Sequence, residues 1–74
     1  MKTKIYNRIK TYRVDRGVTR KDLAKRIGVN FQTIGYLERG DYNPTLEVAL
    51  RLAEYFEVKV DDLFSLRPFR NLSD

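Results

Sequence analysis

Apolar residues recur along this chain at helical spacing, in short blocks separated by capping residues. Ile5, Ile9 and Tyr12 stand four and three apart and mark the inner stripe of a first helix, expected to end near Arg16 before Gly17. A second helix begins at Thr19, whose side chain can cap, with Asp22 at the third helical position and Val18 at staple spacing from Leu23. Leu23, Ala24 and Ile27 face inward, and Gly28 stops the helix. Only Gly28, Val29 and Asn30 separate it from a third helix, which Asn30 caps and which runs to about Arg39, with Gly40 beyond. The stretch Asp41-Tyr42-Asn43-Pro44-Thr45 reads as a loop, and Thr45 caps a fourth helix with Ala49, Leu52, Ala53 and Phe56 on one face. Val58 and Val60 lead into a short fifth helix around Asp61 to Phe64. No strand pattern and no internal repeat is apparent. The expected fold is all-α: five helices over residues 1–66, followed by a tail, 67–74, that is flexible or docked.

Seventy-four residues make one small domain, without room for a deep cleft between lobes. Cysteine and histidine are both absent, which removes disulfides, cysteine metal sites, the commonest general base and the commonest metal ligand. The acidic residues fall among helix caps and solvated faces, with no converging catalytic set, so neither an enzyme nor a bound metal or cofactor is expected. No small-molecule ligand is evident. No apolar run approaches the roughly 20 residues of a membrane span, and charge interrupts the start, MKTKIYNRIKTYR, throughout. A cytoplasmic protein without membrane contact is the expectation.

Charge is divided along the chain. Residues 1–39 hold eleven Lys/Arg against three Asp/Glu, a net +8, whereas residues 40–66 hold two against six, a net −4. A basic half beside an acidic half suits a polyanion met from one side; an unevenly charged solvated surface is the plainer alternative.

The third helix carries the candidate binding residues. At about 100° per residue, Ile34 and Leu37 define its buried side. Gln32 and Arg39 then point away from the core, Gly35 and Tyr36 lie on the outer flanks, and Phe31, Thr33 and Glu38 sit at the margins. Gly35 is conspicuous, because glycine at a helix centre costs roughly 1 kcal/mol relative to alanine.

From about Arg8 to Phe64 the chain resembles the Xre-type helix-turn-helix domain of phage repressors, Cro proteins and many small bacterial and archaeal regulators. The stretches RGVTRKDLAKRIGV, QTIGYLERG, NPTLEVALRLAEYF and VKVDDLF carry the resemblance, in that order and over more than three-quarters of the chain. It implies five short helices around one core and a sequence-specific regulator of double-stranded DNA, a repressor or autoregulator, with the third helix in the major groove. Gln32 falls at a base-contacting family position, and glutamine can pair bidentately with adenine. Phe31 either touches thymine methyls or packs at the core margin against Val29 or the second helix. Gly35 either lets the helix seat deeply on the duplex, or permits close packing or is simply tolerated, and Tyr36 completes the base-facing row. Arg20 stands where relatives often carry a phosphate-binding glutamine. Thr33 can donate to a phosphate or base, or cap locally. Asn43, Pro44 and Thr45 match a loop that commonly touches the sugar-phosphate backbone, and Arg39 joins the backbone contacts. The frequently basic position before that loop is Asp41 here, a departure that weakens the loop contact. Arg13 and Glu38 occupy positions that often pair in relatives.

One such module offers one major-groove helix, so an inverted-repeat operator and a homodimer are implied. Val60, Leu63, Phe64, Leu66 and Phe69 either form the dimer interface or close the monomer core. Alternatives of related kind are an antitoxin or a restriction-modification controller. An alternative of a different kind is a protein-interaction adaptor that keeps the fold without DNA, which should lose outward residues such as Gln32, Tyr36 and Arg39.

Overall fold

A computed structural model describes residues 3–69. Its elements run β1 (Tyr6–Asn7), α1 (Ile9–Asp15), α2 (Arg20–Ile27), α3 (Phe31–Arg39), α4 (Leu46–Phe56), α5 (Val60–Leu63) and β2 (Phe64–Ser65). Three of the five helices, α2, α3 and α4, begin at a capping side chain. Thr19 Oγ1 accepts from the Asp22 N–H (3.1 Å), Asn30 Oδ1 from the Gln32 N–H (2.8 Å) and Thr45 Oγ1 from the Val48 N–H (3.2 Å). Each satisfies an N–H that the first turn leaves without an intrahelical partner.

The helices close over one apolar core. Ile9, Leu23, Ile34, Leu52, Phe56 and Leu63 are fully or almost fully buried at its centre. Tyr12 lies against Phe56, ring centroids 5.7 Å apart, and Val18, Val29, Val48 and Val58 seal the margins. Among the described residues no helix is long and apolar enough to cross a membrane.

Three features depart from the sequence reading. The chain has a short antiparallel pairing, Tyr6 with Ser65 and Asn7 with Phe64. Two-residue strands cannot display an alternating pattern, so periodicity is blind to them. The first helix therefore starts at Ile9, and Ile5 precedes β1 rather than lying on the helix. Asn7 fixes this entry: its Oδ1 accepts from the Ile9 N–H (3.1 Å), and its Nδ2 donates to the Leu37 carbonyl at the end of α3 (2.8 Å). Phe64, expected within the last helix, is in β2. The end of α4 is closed by Glu57, which itself adopts the left-handed conformation, φ 57°.

The residues expected at a dimer interface divide sharply. Leu63 is wholly buried and closes the monomer core, so it is not available to a second subunit. Val60 and Phe64 pack partly against that core. Leu66 is 67% exposed. Phe69 is half-buried, with the Arg8 guanidinium over its ring at 4.0 Å, so the tail docks at least that far. Residues 70–74 of the expected tail lie outside the described residues.

Candidate nucleic-acid interface

The turn between α2 and α3 is set by Gly28. Its φ of 85° is open to glycine at little cost, and the N–H groups of Gly28 and Val29 both reach the Ala24 carbonyl, at 2.8 and 3.0 Å. The chain then re-enters a helix within three residues. Ile34 and Leu37 pin α3 to the core, which turns Phe31, Gln32, Tyr36 and Arg39 toward solvent.

A carboxylate locks the orientation of α3. The Glu38 side chain is only 2% exposed. Arg13 Nε, from α1, donates to its Oε2 (2.6 Å), and Arg13 Nη2 approaches Oε1 (3.5 Å). Arg20 Nε, from the start of α2, donates to Oε1 (3.0 Å). Arg13 is itself 13% exposed, and its Nη1 donates to the Val18 carbonyl (3.0 Å). One buried acid thus ties three helices together at the back of α3. An ion pair taken out of water this far is stabilising only when both partners stay matched.

The outward surface is aromatic and cationic. Phe31 is 47% exposed and lies outside the apolar core, with Lys21 Nζ 5.8 Å from its ring centroid. Tyr36 sits beside Tyr42 of the following loop, centroids 5.5 Å apart, and Arg39 lies over the Tyr36 ring at 5.2 Å. Arg39 Nε also donates to Asp41 Oδ2 (3.0 Å), so the acidic residue that departs from the family pattern holds an arginine of the same surface. Gln32 is exposed and Thr33 half-buried in the first turn. Asn43 is exposed on the loop, and the Thr45 hydroxyl, which caps α4, keeps its own proton to donate.

Gly35 is placed differently from the sequence reading. It is buried rather than on an outer flank. A Cβ there would stand 3.2 Å from Arg39 Nη1, 3.6 Å from Arg20 Nη1 and 3.8 Å from Arg20 Cζ. The backbone of α3 at this point is covered by two guanidinium groups, one from each helix of the pair.

The structure therefore brings Arg13, Arg20, Glu38, Gly35 and Arg39 into one continuous cluster, with Phe31, Gln32 and Tyr36 beside it. Sequence reasoning missed Tyr42, which composition assigns only to a loop. It missed the Arg20–Glu38 contact too, because helical angles within one element say nothing of its neighbours. Leu46 and Leu50, exposed on α4 along an open groove with Glu47, Arg51 and Glu54, were likewise unremarked.

Comparison with known proteins adds family relationships to this geometry. The helix-turn-helix family matches residues 9–63. The chain is 45% identical over 58 residues to an uncharacterised HTH-type transcriptional regulator of Methanocaldococcus jannaschii, covering 78% of this chain and 88% of that protein. It is 32% identical over 59 residues to the cryptic phage CTXphi transcriptional repressor RstR of Vibrio cholerae, covering 80% of this chain and 53% of the repressor. Among solved structures it resembles the restriction-modification controller protein C.AhdI of Aeromonas hydrophila, with a TM-score of 0.69 and 27% identity over 74% of this chain and 83% of that one.

Proposed function

This chain belongs to the helix-turn-helix family of DNA-binding transcriptional regulators, and we propose that it reads a specific duplex sequence by laying α3 in the major groove. The observation that carries this reading is the solvent-facing row Phe31, Gln32, Tyr36 and Arg39, on a helix whose back is fixed by the buried Glu38 carboxylate. A rigid helix with outward donors and apolar edges matches what base readout requires. Gln32 pairs with an adenine, Phe31 contacts thymine methyls and Tyr36 extends the base-facing row. Arg20, Arg39, Thr33, Asn43 and Thr45 meet the sugar-phosphate backbone, which sets register and supplies most of the salt-dependent affinity. Gly35 contributes through what lies over it rather than by meeting a base edge itself.

A single α3 covers only a few base pairs, so the protein works as a homodimer on an inverted repeat. Leu66, an exposed apolar residue just past the last helix, is the foremost interface candidate, with the partly buried Val60, Phe64 and Phe69 as the others. Repression in the cytoplasm is the mode that accords with the phage repressor among the relatives. A second reading, control of a restriction-modification system, is favoured by the likeness to C.AhdI; a neighbouring methylase gene would support it. Against the adaptor reading stand Gln32, Tyr36 and Arg39, all exposed.

Selection of bound sequences from random duplex DNA tests the proposal. Enrichment of a two-fold symmetric site supports it, and retention of no sequence above background contradicts it.

A further inference from the structure

Two arginines from different helices come to rest over the same point of α3. Arg20 reaches it from the first residue of α2 and Arg39 from the last residue of α3. Their Nη1 atoms lie 3.6 and 3.2 Å from the position a Gly35 Cβ would take. Each is held by its Nε on a carboxylate, Arg20 on Glu38 Oε1 and Arg39 on Asp41 Oδ2, both at 3.0 Å. A guanidinium carries its donors in a rigid fork. Fixing Nε therefore aims the Nη groups and leaves them able to donate elsewhere.

We propose that Arg20 and Arg39 form a clamp for a single backbone phosphate of duplex DNA, seated over Gly35. This rests on the DNA-binding reading above and gives Gly35 its reason. Two like charges converging on one spot repel one another, and an anion placed between them reverses that repulsion. A phosphodiester fits, because it spreads one negative charge over two non-bridging oxygens, and each guanidinium takes one. Glu38 and Asp41 are positioning residues here. Each holds an arginine through Nε, Glu38 from a buried position and Asp41 from the surface.

Gly35 is the seat. Any side chain there meets Arg39 Nη1 at 3.2 Å, closer than ordinary van der Waals contact, and the nearest Arg20 atoms at 3.6 and 3.8 Å. The arginine tips are flexible ends and move aside readily. Gly35→Ala therefore spreads the clamp while every charge and the fold remain. Helix propensity accounts for none of this, since it favours alanine at the position.

The test uses the full chain and a duplex selected by the protein from a random pool, with each phosphate replaced singly by an uncharged methylphosphonate. Wild-type protein loses affinity at several phosphates. Arg20→Ala and Arg39→Ala each bind the unmodified duplex roughly tenfold more weakly, the scale of one charge-assisted hydrogen bond. Both become less sensitive to replacement of one and the same phosphate, the double variant becomes insensitive to it, and the double variant loses less than the product of the single losses. Gly35→Ala keeps or raises its melting temperature and weakens binding several-fold, with its loss confined to that phosphate. Reduced sensitivity of the two single variants at two different phosphates, multiplicative losses, or wild-type binding by Gly35→Ala overturns the clamp and leaves the DNA-binding reading standing. Failure of the wild-type protein to select any duplex overturns both.

Discussion

Replacing Glu38 with alanine removes the acid on which three helices meet. Its side chain is 2% exposed and accepts from Arg13 at 2.6 Å and Arg20 at 3.0 Å. Without it, Arg13, 13% exposed, keeps its bond to the Val18 carbonyl but no counter-charge. Removing one partner of a pair buried this deeply costs about 3–5 kcal/mol, most of it the penalty of the stranded cation. A domain of this size has a total stability of about 4–11 kcal/mol, at roughly 0.05–0.15 kcal/mol per residue. Glu38→Ala should therefore lower the melting temperature by about 12–40 °C, at roughly 4–8 °C per kcal/mol. Arg20→Ala should behave differently. Arg20 is 40% exposed, and Glu38 retains Arg13 after its loss. Solvent screening limits that cost to below about 1 kcal/mol. Urea denaturation followed by far-UV circular dichroism, in 0.1 and 1 M salt, measures all three proteins. The Glu38→Ala deficit should persist at high salt, because buried charges are screened little. A Glu38→Ala cost below about 1 kcal/mol, or an Arg20→Ala cost equal to it, would refute the reasoning.

Three further outcomes are expected. Phe31→Ala, at a half-exposed position, should change stability by less than about 1 kcal/mol, and should weaken binding to thymine-containing sites more than to the same sites with uracil; a 3–5 kcal/mol loss, typical of a core phenylalanine, would place the ring in the core instead. Glu57→Gly should stabilise by about 0.5–1 kcal/mol, since φ 57° strains a residue with a Cβ; thermal melts showing a loss would argue against strain there. Leu63→Ala should destabilise by about 2–5 kcal/mol, whereas Leu66→Ala should leave the melt of dilute protein unchanged and weaken self-association in sedimentation equilibrium; an unchanged association constant would remove Leu66 from the interface.

The three central helices were legible because each begins at a side chain chosen for a backbone duty. Thr19, Asn30 and Thr45 can be recognised as caps without knowing what lies across the core, and all three cap. What depends on a second segment was not legible. The Tyr6–Ser65 pairing joins residues almost sixty positions apart, and two-residue strands carry no period. Helical angles placed Gly35 on an outer flank, but its surroundings come from Arg20 on another helix and from the reach of Arg39 back over its own. Leu63 showed the same limit. An apolar residue near the chain end reads equally as core or as interface, and only packing shows that it closes the core.

The central claim, sequence-specific reading of DNA by α3, is tested most directly by titrating the protein into a fluorescently labelled duplex of its selected sequence and into a scrambled duplex of the same composition, at several salt concentrations. Binding to the selected duplex should be at least about 10³-fold tighter. Its log K should fall linearly with log salt, at a slope of about −0.9 for each phosphate that a lysine or arginine neutralises. Equal affinity for the two duplexes, or binding indifferent to salt, would contradict the account.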